Sequence, residues 1–102
     1  MGDEIAVFVI GRIDVGRNML FGHILTLDID PSHRRKGIAQ KLLQGIEDIF
    51  KEKGIKECRL EVREDNIAAL NLYQKLEYKK VGKLEKYYSD AHGLYLRKTL
   101  TF

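Results

Sequence analysis

One proline, one cysteine and no tryptophan occur in 102 residues, and each scarcity closes a class of explanation. A lone thiol, Cys58, cannot form an intramolecular disulfide or build a cysteine-rich zinc site. The three histidines, His23, His33 and His92, show no metal-ligand clustering, so no metal is expected. The longest apolar run, residues 5–10, is far too short to span a bilayer. Acidic Asp3 and Glu4 precede that run and no small-residue cleavage site follows it. The pattern of a secretory signal is therefore missing, and a cytoplasmic protein is expected. Repeats, low-complexity tracts and linkers are also lacking, so residues 1–102 read as one domain. The net charge of +3 and pI near 9.0 are mild. They suit a small anionic ligand better than nucleic acid or a membrane.

Hydrophobic periodicity supplies an element order. Residues 4–13 read as a strand apolar on both faces, residues 14–18 as a hairpin loop, and residues 19–30 as a second strand. Pro31 and Ser32 then break the sheet pattern. Residues 35–53 form the clearest helix, with Ile38, Leu42, Ile46, Ile49 and Phe50 as its apolar stripe and Gly54 as its stop. Residues 57–63 alternate cleanly: Cys58, Leu60 and Val62 on one face, Glu57, Arg59, Glu61 and Arg63 on the other. Asp65 or Asn66 caps a helix over residues 67–76. Residues 78–88 and 94–100 read as a closing hairpin. The order β-β-α-β-α-β-β requires at least one parallel strand pair, hence an α/β sheet.

The run Arg34-Arg35-Lys36-Gly37-Ile38-Ala39 stands between the second strand and the first helix. A basic, glycine-bearing turn at a helix start offers free N–H groups and the positive end of the helix dipole to a phosphate. A P-loop needs Gly-Lys-Ser/Thr, but Gly37 is followed by Ile38 and Ala39; a dinucleotide fingerprint needs three spaced glycines, and only Gly37 is present.

The remaining pattern, Arg34-x-x-Gly37-x-Ala39, resembles the pyrophosphate-binding motif of the GNAT N-acetyltransferases. The resemblance extends along the chain. It includes Leu25-Thr26-Leu27-Asp28-Ile29-Asp30-Pro31 before the motif and Leu60-Glu61-Val62-Arg63 after it. Asn66, Ala69, Leu72 and Tyr73 follow, then Lys75-Leu76-Glu77-Tyr78 and Tyr87-Tyr88-Ser89-Asp90-Ala91-His92. It is closest to RimI-like and Ard-like protein Nα-acetyltransferases. Ala39 stands where the family more often has a second glycine, and Glu77 where it usually has glycine, so a positive φ at Glu77 would carry strain.

The resemblance implies the GNAT acyl-CoA acyltransferase fold, a mixed sheet with helices on its faces. It also implies that the usual first strand and helices, one wall of the acceptor site, are lacking here. Acetyl-CoA is the implied co-substrate, held by Leu27, Asp28, Ile29, Arg34, Arg35, Lys36, Gly37, Ile38, Ala39 and Asn66. Glu61 is implied as general base and Tyr73 as general acid, with Tyr87 and Tyr88 lining the site of the acceptor, a protein N-terminus or other amine. Plainer readings stand beside these. Glu61 suits a plain surface or cross-strand ion-pair residue, with Arg59 and Arg63 nearby; Tyr73 suits the core, Asn66 a helix cap, and Tyr87 and Tyr88 ordinary strand aromatics. A second copy of the chain or a partner subunit is a further expected partner; the alternative functions are a non-catalytic acetyl-CoA-binding or interaction module and a small-molecule amine acetyltransferase.

Overall fold

A computed structural model describes residues 7–29 and 37–101. Its elements follow the expected order: β1 (Val7–Val15), β2 (Leu20–Ile29), α1 (Ile38–Glu52), β3 (Glu57–Arg63), α2 (Ile67–Lys75), β4 (Lys79–Tyr88) and β5 (Ala91–Thr99). The strands form one mixed sheet in the order β1-β2-β3-β5-β4. The crossover through α1 makes β2 and β3 the parallel pair, while the remaining neighbours are antiparallel. No helix of the described residues is long and apolar enough to cross a membrane.

Both described helices pack on the face carrying Cys58, Leu60 and Val62. One cluster joins those residues and Ile24 to Leu43 and Phe50 of α1 and to Tyr73 and Leu76 of α2. Gly11 and Gly22 bring α1 close, because a Cβ at either would collide with Ile46 or with the Phe50 ring. The face of α1 turned inward consists of Ala39, Leu43, Glu47 and Phe50.

 The expected stripe is therefore rotated by about one residue, and Ile49 is half exposed. Glu47 is buried because its partners come from elsewhere in the fold. Tyr78 donates its hydroxyl to Glu47 Oε2 at 2.6 Å, and Lys98 Nζ meets Oε1 at 2.8 Å. A buried carboxylate with both oxygens engaged ties α1 to β5 and to the chain leaving α2.

The other boundaries agree closely with the pattern. β3 spans the expected residues, with its alternate side chains buried. Asp14 and Val15 extend β1 instead of forming the hairpin loop, and β5 starts at Ala91, earlier than expected. Gly54 ends α1 with φ 78, and Glu77 takes φ 74. Without a glycine's freedom, that left-handed Glu77 costs about 1 kcal/mol. Residues 4–6, Arg34, Arg35 and Lys36 lie outside the described residues.

Candidate active site

Pairing between β2 and β3 is brief. Gly22, His23 and Ile24 face Cys58, Arg59 and Leu60, and there the register ends. Both strands continue: residues 25–29 remain paired to β1, and residues 61–63 to β5. The sheet thus opens between two strands that are each secured on their outer side. The cause is local. Ile10 pairs with Thr26 and Gly11 with Ile24, which leaves Leu25 as an extra residue in β2. Such a bulge bends its strand, here at the point where β3 is left behind. The backbone of Leu27, Asp28 and Ile29 therefore borders the opening, with alternate N–H and C=O groups free of a β3 partner.

α1 follows β2 in the chain. Gly37, its N-cap, has φ 69 and no side chain with which to cap the helix. Among the described residues, nothing beyond its chain neighbours lies within 4 Å of where a Gly37 Cβ would be. No acidic residue occupies the first turn, and among the described residues no side chain accepts from the N–H groups of Ile38 and Ala39. This open, positively polarised backbone fits a pyrophosphate. Ala39 is already helical and buried, which explains why a methyl group is accommodated there.

Glu61 lies on the edge of the opening, on the sheet face away from the helices. Its Oε1 is 2.7 Å from His23 Nε2, and His23 Nδ1 is 2.9 Å from Asp14 Oδ2. Arg12 Nε in turn donates to Asp14 Oδ1 at 2.6 Å. That bond, with the one from His23, holds the Asp14 carboxyl below its ordinary range. Neither candidate arginine takes Glu61. Arg59 pairs with Glu57 and stacks over Phe21, 3.9 Å from the ring centroid. Arg63 binds both Asp65 and Asp90. The partner of Glu61 is a histidine instead, with a carboxylate on its far nitrogen. Among the described residues, no three His, Cys, Asp or Glu side chains are grouped to hold a metal ion.

Tyr73 belongs to the core by its ring, edge-on to Tyr78 at 5.6 Å between centroids. Burial pushes its hydroxyl up to about 12, and the nearby Tyr88 phenol adds to the effect. Tyr88 is itself raised, first by burial and then by Tyr87 and the Glu61 carboxylate. Tyr87 is exposed and packs edge-on against Tyr88 at 5.0 Å. Asn66 caps α2, accepting the Ala69 N–H at 3.1 Å.

The sequence pattern of the acetyltransferase (GNAT) family matches residues 3–78. The chain belongs to the GNAT family. Within it, the chain is 40% identical over 76 residues to an N-alpha-acetyltransferase of Saccharolobus solfataricus, covering 74% of this chain and 46% of that protein. It is 31% identical over 91 residues to the ribosomal protein bS18 alanine N-acetyltransferase of Salmonella typhimurium, covering 89% and 59%. The chain thus spans about half the length of the curated relatives it matches. Among solved GNAT structures, a chain of the NatC complex bound to Gag peptide and CoA superposes with a TM-score of 0.86 at 30% identity. That match covers 91% of this chain and 60% of that one.

Sequence reasoning passed over His23 and Asp14. The available signal was their placement on the same face of adjacent strands as Glu61. Using it requires the register, in which Arg12 faces His23 and His23 faces Arg59.

Proposed function

We propose that this chain carries the acetyl-CoA site and the base of an N-acetyltransferase that acts on the α-amino group of a protein N-terminus. The observation that carries the reading is the Asp14–His23–Glu61 line at the edge of the β2–β3 opening. Acetyl-CoA would supply an activated acetyl thioester. The uncapped start of α1 at Gly37, Ile38 and Ala39 would receive its pyrophosphate, with Arg34, Arg35 and Lys36 adding positive charge.

The acceptor must lose a proton before it attacks. For an α-amine with a pKa near 7.7–8.0 this costs roughly 1–1.4 kcal/mol at neutral pH, against about 4–5 kcal/mol for a lysine. A carboxylate base suffices for the α-amine. Glu61 accepts the proton directly or through water, and His23, backed by Asp14, orients the carboxylate and offers a path onward. A free backbone N–H among Leu27, Asp28 and Ile29 stabilises the charge developing on the carbonyl oxygen. Tyr73, held at about 12, stays protonated at neutral pH and donates a hydrogen bond to the departing sulfur. Complete transfer to a thiolate of ordinary basicity, near 8.5, would be uphill by roughly 4–5 kcal/mol, which favours donation over early protonation. Tyr87 and Tyr88 flank the incoming peptide.

The test follows free thiol release from acetyl-CoA with peptides bearing different first residues, using the full-length protein. Peptide-dependent release is expected, with Glu61→Gln lowering kcat by about 10²–10⁴. Acetyl-CoA binding without turnover on any amine would overturn the enzymatic reading.

A further inference from the structure

The β4–β5 hairpin does not run in regular register. Between the pairs Leu84–Gly93 and Tyr88–Ala91, β4 holds Glu85, Lys86 and Tyr87 where β5 holds His92 alone. Within this bulge Lys86 takes φ 51, a left-handed conformation that a side chain with a Cβ disfavours. Its backbone N–H donates to His92 Nδ1 at 2.8 Å. A ring nitrogen that accepts a hydrogen bond carries no proton, so this bond specifies the neutral ring with its proton on Nε2. The His92 carbonyl accepts the Glu64 N–H at 3.0 Å, which ties the same residue to the end of β3.

Tyr87 is the last residue of the bulge, and Tyr88 resumes the pairing. The Tyr87 side chain lies against Gly93, where an added Cβ would meet it at 3.1 Å. Tyr88 follows, with Arg63, two residues from Glu61 on the same face of β3, 5.5 Å from its ring centroid. Arg63 also binds Asp90 at the hairpin tip, so the tip is held to β3 from a second side.

We infer that His92 is a positioning residue: its side chain latches the Lys86 bulge and so sets Tyr87 and Tyr88 where the acceptor peptide must pass Glu61. The inference rests on the acceptor reading above, but the latch itself can be read without activity. In ¹⁵N-labelled full-length protein, His92 is expected as the Nε2–H form with an unprotonated Nδ1. His92→Ala should shift the Lys86 amide and the Tyr87 and Tyr88 ring resonances. His92→Asn, which keeps an acceptor oxygen close to the Nδ1 position, should largely restore them. With a free-amine peptide that the enzyme acetylates, His92→Ala should raise the peptide KM about three- to tenfold, leaving kcat and the acetyl-CoA KM close to wild type. His92→Asn should recover most of that loss. An Nδ1–H ring, unmoved tyrosine resonances, an unchanged peptide KM, or an equal loss in all three kinetic constants would each overturn the inference. Should no peptide be acetylated, the enzymatic reading fails, and the tyrosine resonances alone decide for or against the latch.

Discussion

Within β3, neighbouring residues serve opposite ends. Cys58, Leu60 and Val62 are buried against both helices, while Arg59, Glu61 and Arg63 meet a histidine, carboxylates and aromatic rings on the other face. The charged group admitted to the helix face, Glu47, has both carboxylate oxygens engaged. On the opposite face, Glu61 has one oxygen on His23 and lies beside an opening in the sheet. Alternation lets one strand combine a rigid packed layer with a polar layer able to exchange protons. Each layer should therefore fail in its own way when altered.

The largest effect is expected on the helix face. Leu60 is 1% exposed, and Leu60→Ala leaves a cavity beneath the middle of the sheet. A loss of about 2–5 kcal/mol in unfolding free energy is expected, measured by urea titration. A change below 1 kcal/mol would mean that the helices do not pack as described.

His23→Asn tests the opposite face. It removes the link between Asp14 and Glu61 but no core volume. Turnover should fall roughly 10- to 100-fold, at the low end for loss of proton-transfer assistance. Unfolding free energy should change by only about 1 kcal/mol. A large stability loss with normal turnover per folded molecule would reverse the roles assigned to the two faces.

Legibility in the sequence divides along the same line. The alternation of β3 is local, and its buried and exposed sets follow directly from residue type. Gly37 and Gly54 are likewise marked by residues that tolerate the left-handed backbone they adopt. The inward face of α1 was harder to read. Glu47 resembles a surface residue until Tyr78 and Lys98 are brought to it from 31 and 51 positions away. His23 is similar, since Glu61 is 38 positions distant. The opening between β2 and β3 depends on a single unpaired residue, Leu25, which hydrophobic periodicity does not register. Local periodicity specifies elements; long-range polar pairing and strand register specify the site.

The smallest effect concerns protons that the helix face must keep. Burial raises the Cys58 thiol from 9.0 to about 12 and the Tyr73 hydroxyl from 10.0 to about 12, and Tyr78 shifts in the same direction. These groups are neutral when protonated, so a raised value means that the folded chain retains protons the unfolded chain gives up. Above pH 9 the unfolded state binds fewer protons than the folded state, and stability must fall with rising pH. The contribution is complete below about pH 9 and is lost progressively towards pH 12. Asp14, lowered on the opposite face, acts in the reverse sense, losing its contribution only as the solution turns acidic. Melting temperatures at pH 8, 9.5 and 11 should therefore decline stepwise. Cys58→Val removes the earliest-titrating of the three groups and should move the onset of decline up towards pH 10. An onset unmoved by that substitution would place the alkaline sensitivity outside the packed layer and weaken the contrast between the two faces.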